Sequence, residues 1–264
     1  KGRLYPTDEA RRLYRDVQET YAGIRRIGSL AQELAQRRLG LLGIASSPSI
    51  GHELVPLAIA ALRDKHPRLH IRFVCLHHDL LRSQLLEGQV DVGISTLPMD
   101  HPQLVMQPVA RSELVCICPW DHPLAAAEVV TVTDFQRYPP IGYLPETPMA
   151  RRLDTLFAAV GGIPAAAVQV GSPQNACALV RGGAGIALVD QFSLESWPRS
   201  QFRILPIDDA PPILAHLVYL RGSPLSPMAK SFVACLDALL RERGLGMNGT
   251  YANVLPTLSM SLKP

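Results

Sequence analysis

The sequence predicts an α/β protein: one long helix, then two similar lobes joined by two long strands, the layout of a clamshell binding domain. Three observations carry this. Residues 1–38 read as a basic turn and a single helix that cannot form a domain alone. From Leu39 short apolar runs alternate with amphipathic segments, and a second cycle of the same kind follows an extended run from Leu104 to Cys118.

In the leading segment Thr7 follows Pro6 as a helix N-cap, with Asp8 and Glu9 favourably placed in the first turn. Leu13, Val17, Thr20, Ile24, Ile27, Ala31 and Leu34 then recur at gaps of 4 and 3, the seam of a helix that pairs with another helix. The alternative is that this stripe packs on its own domain. Nine basic and five acidic residues fall in residues 1–38, leaving 17 basic and 18 acidic residues in the rest. The positive excess therefore lies wholly in the leading segment, and the body carries no electrostatic footprint for nucleic acid. A solvated helix face is the bland reading of the same charges.

Leu39–Ala45 reads as a strand, Ser46-Ser47-Pro48-Ser49 as a turn, and 50–65 as a helix ending before Pro67. Leu69–Leu76 is a second strand, Asp79–Glu87 a helix and Val90–Ser95 a third strand. This β-α-β-α-β order implies a parallel sheet with right-handed crossovers. Ligands bind outside the carboxyl ends of such strands, where Ser46–Ser49, His77–Asp79 and Ser95–Leu97 meet. The second cycle holds a strand at 140–142, a helix from Pro148 to Val160, an extended stretch at 167–171, a helix from Pro173 to Arg181 and a strand at 185–190. Ile213–Arg221 is extended again, Ser226–Arg241 is a closing amphipathic helix, and 244–264 reads as a tail. The lobe crossings are expected near 98–112 and 212–218.

No apolar run of about twenty residues is present, so nothing in the sequence reads as a membrane-spanning helix. The five cysteines, odd in number and mostly in apolar runs, read as small core residues of a reducing cytoplasm. No signal peptide is visible, and a chain starting at Lys1 is expected to belong to a longer protein. His66, His70, His77 and His78 invite a metal reading, but Pro67 interrupts any helix that would bring His66 and His70 onto one face.

Five stretches, in this order and spacing, resemble the LysR-type transcriptional regulators without their N-terminal winged helix-turn-helix. Residues 1–10 resemble the end of the wing and the start of the linker helix. Leu42–Ser49 with Leu54-Val55-Pro56 is similar to the first effector-domain strand and helix, and Glu87–Ile94 to the element EGxxDxGI. Asp121-His122-Pro123-Leu124-Ala125 matches DHPLA, and Val180–Leu188 is similar to VxxGxGIAL. The resemblance covers residues 1 to about 243. It implies two Rossmann-like lobes of the type 2 periplasmic-binding-protein clamshell behind a long linker helix. It also implies lobe I at 39–111 with 212–243 and lobe II at 112–211.

The same resemblance points to an effector pocket of Ser47, Ser49, His78 and Thr96 in the first lobe and Thr147, Pro148, Met149, Ser172, Gln174 and Asn175 in the second. The physics agrees, because a helix N-terminus offers unpaired amides to a small anion; simple capping is the alternative for the serines. No pocket arginine is evident, and Arg151 and Arg152 read as surface residues. The run 177–192 is similar to the opine- and amino-acid-responsive branch and favours an amino-acid-like or carboxylate effector. The resemblance further implies no cofactor, a homodimer or homotetramer, and promoter DNA reached through a preceding domain, with Lys1 and Arg3 near that DNA. A stand-alone solute-binding protein of a transport system is the competing reading, though it needs an export signal and has no use for the 4-3-4-3 seam. An enzyme is disfavoured: no nucleophile elbow, phosphate-cradling glycine loop or paired metal ligands are present.

Overall fold

The computed structural model describes residues 41–247, together with Thr7, Glu9, Ala10, Leu13 and Val17. Thr7 caps the leading helix as expected, its Oγ1 accepting the Ala10 N–H at 3.2 Å. Leu13 and Val17, the first seam positions, are helical and 65% and 42% exposed on the isolated chain. Thr20, Ile24, Ile27, Ala31 and Leu34, the DNA-proximal Lys1 and Arg3, and residues 248–264 of the tail lie outside the described residues.

The elements run β1 (Leu41–Ser46), α1 (Pro48–Gly51), α2 (Leu54–Lys65), β2 (His70–Cys75), α3 (His78–Leu86), β3 (Val92–Ser95), β4 (Leu104–Ser112) and β5 (Leu114–Cys118). Then come α4 (Asp134–Arg137), β6 (Gly142–Tyr143), α5 (Pro148–Phe157), β7 (Gln169–Val170), α6 (Pro173–Arg181), β8 (Ala187–Asp190), α7 (Gln191–Leu194), β9 (Arg203–Pro206), β10 (Ile213–Leu220) and α8 (Pro227–Glu242).

The first lobe is built on a five-stranded sheet in the order β2-β1-β3-β10-β4. β1 lies parallel to both β2 and β3, as the β-α-β-α-β pattern requires, and β10 runs antiparallel to β3 and β4. The interior strand β1 is buried almost throughout, whereas the edge strand β2 has exposed positions at both ends. That edge leaves Cys75 exposed, unlike the other four cysteines. The second lobe holds an antiparallel sheet β8-β5-β9 and a parallel pair β6-β7, linked by the Ile141–Ala187 bridge. Its core packs Phe135 against Phe157, the rings tilted by 58° with centroids 5.7 Å apart.

Two departures from the sequence reading have plain causes. The helix expected over 50–65 is two helices, broken at His52 and Glu53. Pro56 explains the restart: it falls in the first turn of α2, where a missing N–H breaks no intrahelical bond. The extended run over 104–118 is likewise two strands in two different sheets, separated at Glu113. Ser112 pairs with Ile213 at the other crossing, so both connections between lobes lie side by side. His66 is occupied in packing, its Nε2 lying 3.3 Å from Ser231 Oγ between α2 and α8.

Candidate functional site

Five helix N-caps converge on one cleft between the lobes. Its lining includes Ser47, His77, Thr147, Ser172 and Asp190, which occupy the N-cap positions of α1, α3, α5, α6 and α7 in turn, the last three with side-chain capping bonds. Each helix follows the carboxyl end of a strand or its turn, and α1, α5 and α6 begin with proline at N1, whose absent N–H is one of the unpaired ones anyway. The nine- and ten-residue helices α3, α5 and α6 aim their unpaired first-turn amides and positive dipole ends inward.

The hydroxyls divide into those already engaged in capping and those that are not. Thr147 Oγ1 accepts from Ala150 N at 3.2 Å and donates to Leu144 O at 2.7 Å. Ser172 Oγ accepts from Asn175 N at 3.4 Å. Ser47 does not cap its own helix; its Oγ accepts from Thr96 N at 3.1 Å and so ties the first helix start to the end of β3. The Ser49 hydroxyl reaches across the cleft and is a hydrogen-bond partner of the Asp190 carboxylate.

Asp190 is the only carboxylate in the lining and Arg152 the only guanidinium. Asp190 is 1% exposed, and burial pushes its pKa up against the donors Ser193 N and Ser193 Oγ, each at 3.0 Å, and Ser49. Burial lowers the pKa of Arg152 while the Asp190 charge raises it. Burial also lowers that of His78, opposed by Asp79 and assisted by Arg82 and Arg151, so the imidazole is neutral near pH 7. His78 Nδ1 is buried with no hydrogen-bond partner. The cavity between these groups measures about 50 Å3.

Eight of the ten residues expected at the site line it: Ser47, Ser49, His78, Thr96, Thr147, Pro148, Met149 and Ser172. Gln174 and Asn175 do not. The turn of about 100° per residue carries them off the face that Ser172 and Pro173 present. Asn175 is exposed, while Gln174 Nε2 donates to Pro48 O at 3.5 Å and bridges the lobes. Arg152 corrects the surface reading: it sits four residues after Pro148, on the same helix face, and is half-buried in the cleft. Tyr143, Gly171 and Asp190 were also missed. They end or directly follow β6, β7 and β8, the same strand-end signal that located the first-lobe residues.

A family profile described as LysR substrate binding domain matches residues 35–241. The chain belongs to this family. It is the effector-binding region of a LysR-type transcriptional regulator, a two-lobed periplasmic-binding-protein-like domain. It is 27% identical over 238 residues to the transcriptional activator protein LysR of Escherichia coli K12, spanning 90% of this chain and 76% of that protein. It is 26% identical over 239 residues to the regulatory protein NocR of Agrobacterium tumefaciens T37, spanning 90% and 80%. Among solved structures, the BenM effector binding domain with its effector benzoate superposes with a TM-score of 0.66 at 23% identity, over 77% of this chain and 93% of that one. The effector binding domain of QuiR in complex with shikimate gives 0.64 at 19% identity, over 77% and 98%. These relatives are regulators and not transport proteins, which disfavours the solute-binding reading. No helix among the described residues is long and apolar enough to cross a membrane.

Proposed function

We propose that this effector domain senses an α-amino acid or an amino-acid-like carboxylate held between its lobes, divided as 39–111 with 212–243 and 112–211. The observation that carries the reading is the pairing of Arg152 and three helix N-termini with one buried acid, Asp190, in the same cleft. The cationic set takes a carboxylate. Asp190 takes an ammonium, whereas a ligand without one would set its negative charge beside that of Asp190. His78 Nδ1 supplies a further contact.

At about 50 Å3 the cavity holds only a few waters, so an effector enters as the lobes part. Binding then biases the angle between lobes, and paired linker helices carry that change to a DNA-reading domain ahead of residue 1. Support for a dimer or tetramer is the 4-3-4-3 seam, with Leu13 and Val17 exposed on the single chain. Support for promoter DNA as partner is the family, and for a cytoplasmic location the same. Thermal shift against amino acids, opines and small carboxylates tests the effector class. At least one amino-acid-like member should raise the melting temperature, and Arg152→Gln should abolish the shift. A panel in which only amine-free acids stabilise, or none does, would refute the reading.

A further inference from the structure

Beyond the cleft, α5 presents a second arginine to a larger opening. Arg151 and Arg152 line a groove of about 490 Å3 that shares Leu97, Pro148 and Arg152 with the cleft. The two spaces therefore adjoin, with Leu97, Pro148 and Arg152 as their common wall, and the outer one is the larger.

Among the described residues neither guanidinium forms an ion pair with a carboxylate. Arg151 Nη2 donates to Glu146 O at 3.3 Å, and Arg152 Nη1 to Pro211 O at 3.4 Å and Pro212 O at 3.3 Å. These are long bonds to neutral carbonyls, beyond the usual N–H···O distance of about 2.9 Å. Other arginines of the molecule do meet acids: Arg111 with Glu113 at 3.0 Å, Arg241 with Asp237 at 3.0 Å and Arg243 with Glu195 at 2.7 Å. Two successive cations thus border an open groove beside a cleft too small for a whole amino acid, Arg151 without an ion-pair partner among the described residues and Arg152 with only the more distant Asp190 charge acting on it. Asp209 lines the same groove and subtracts one charge, leaving it net positive.

We propose that the effector is an elongated amino acid with a second acidic group, which lies outside the cleft in the groove and is held by Arg151 together with Arg152. The inference rests on the amino-acid reading above. The α-amino and α-carboxylate groups fill the cleft between Asp190 and the helix N-termini. The chain passes Leu97 and Pro148, and the terminal acid meets the guanidinium pair, where planar donors suit a carboxylate.

Calorimetry with three matched pairs tests this: L-norvaline against L-glutamate, L-norleucine against L-2-aminoadipate, and L-2-aminoheptanoate against L-2-aminopimelate. Each pair differs only by a terminal methyl or carboxylate. At one length or more the acid should bind about tenfold tighter than its methyl partner. Arg151→Gln should cut that preference to under about threefold, and Asp209→Asn should widen it. Equal binding within every pair, or a preference that survives Arg151→Gln, overturns the inference alone. Binding by no member of any pair overturns the amino-acid reading and the inference with it.

Discussion

Ser49→Ala is expected to cost stability as well as affinity, because the hydroxyl it removes lies on a buried charge. Asp190 is 1% exposed and its carboxylate takes Ser193 N, Ser193 Oγ and the Ser49 hydroxyl. A hydrogen bond to a charged group contributes about 1.5–3 kcal/mol. Ser49 borders the cavity, where water replaces part of the loss, so the expected cost at pH 7.5 is at the lower end, about 1.5 kcal/mol. The pH dependence separates this cause from simple packing. Burial already raises the folded-state pKa of Asp190, so above the ordinary carboxylate range the folded form binds more protons than the unfolded one. Stability from this group therefore falls as pH rises through that window. Losing a donor raises the pKa further, so the deficit of the variant should shrink on moving from pH 7.5 to pH 5. Urea denaturation at both values reads it. In an Asp190→Asn background the same substitution should cost less than half as much. A deficit equal at both pH values, or the same in both backgrounds, would refute the assignment of Ser49 to Asp190.

Gly51→Ala should destabilise the fold by about 1–3 kcal/mol in a melting experiment, since a Cβ there would be driven onto Ser46 Oγ and Cys75 Sγ; an unchanged melting temperature would contradict that close approach. His122→Asn should lessen the loss of stability on acidification from pH 7.5 to 5.5. Burial lowers the folded pKa of His122, so its stabilising share is present above the ordinary histidine value and lost below it, while Asn still accepts from Leu124 N. An acid-side loss as steep as in the wild type would exclude His122 as a contributor. Val17→Lys should shift the protein towards smaller species in sedimentation, and an unchanged assembly state would remove this position from the pairing seam.

Much of this architecture was legible where local signals agree. α6 occupies the residues expected of it, because Ser172, Pro173 and Gly182 punctuate it at both ends. β1 to β3 and their two crossovers follow from apolar runs long enough to show their period. β9 was not seen: four residues between Phe202 and Ile207, with Arg203 at one end and Pro206 at the other, carry no readable period. The site follows the same division. In the first lobe the strand ends pointed to Ser46–Ser49, His77–Asp79 and Ser95–Leu97, within which the family resemblance singled out Ser47, Ser49, His78 and Thr96, and all four line the cleft. In the second lobe β6 and β7 are two residues each, too short to mark an end, so Tyr143 and Gly171 passed unnoticed. Arg152 was hidden for another reason. Its neighbours Met149, Ala150 and Leu153 define the buried face of α5, and only the approach of the other lobe decides whether an arginine at the border of that face meets solvent or a cleft.

In the proposed reading the position of Asp190 would link ligand to lobe geometry more directly than its charge alone. The next residue, Gln191, clasps the crossing between lobes: its N–H meets Ser112 Oγ at 2.9 Å, and its Oε1 accepts the Glu113 N–H at 3.2 Å. On the other side the Asp190 carboxylate holds Ser49 of the first lobe. In the proposed reading a ligand ammonium arriving at Asp190 would compete with Ser49 for the same oxygen atoms, one residue from the strand crossing. Displacing that bond would change an interlobe contact, while the ion pair of Arg243 with Glu195 at 2.7 Å, joining the end of the closing helix to the residue after α7, lies outside the cleft lining. The lobes would then respond to occupancy without losing their registration. That behaviour requires one contact that the effector replaces and others that it leaves alone.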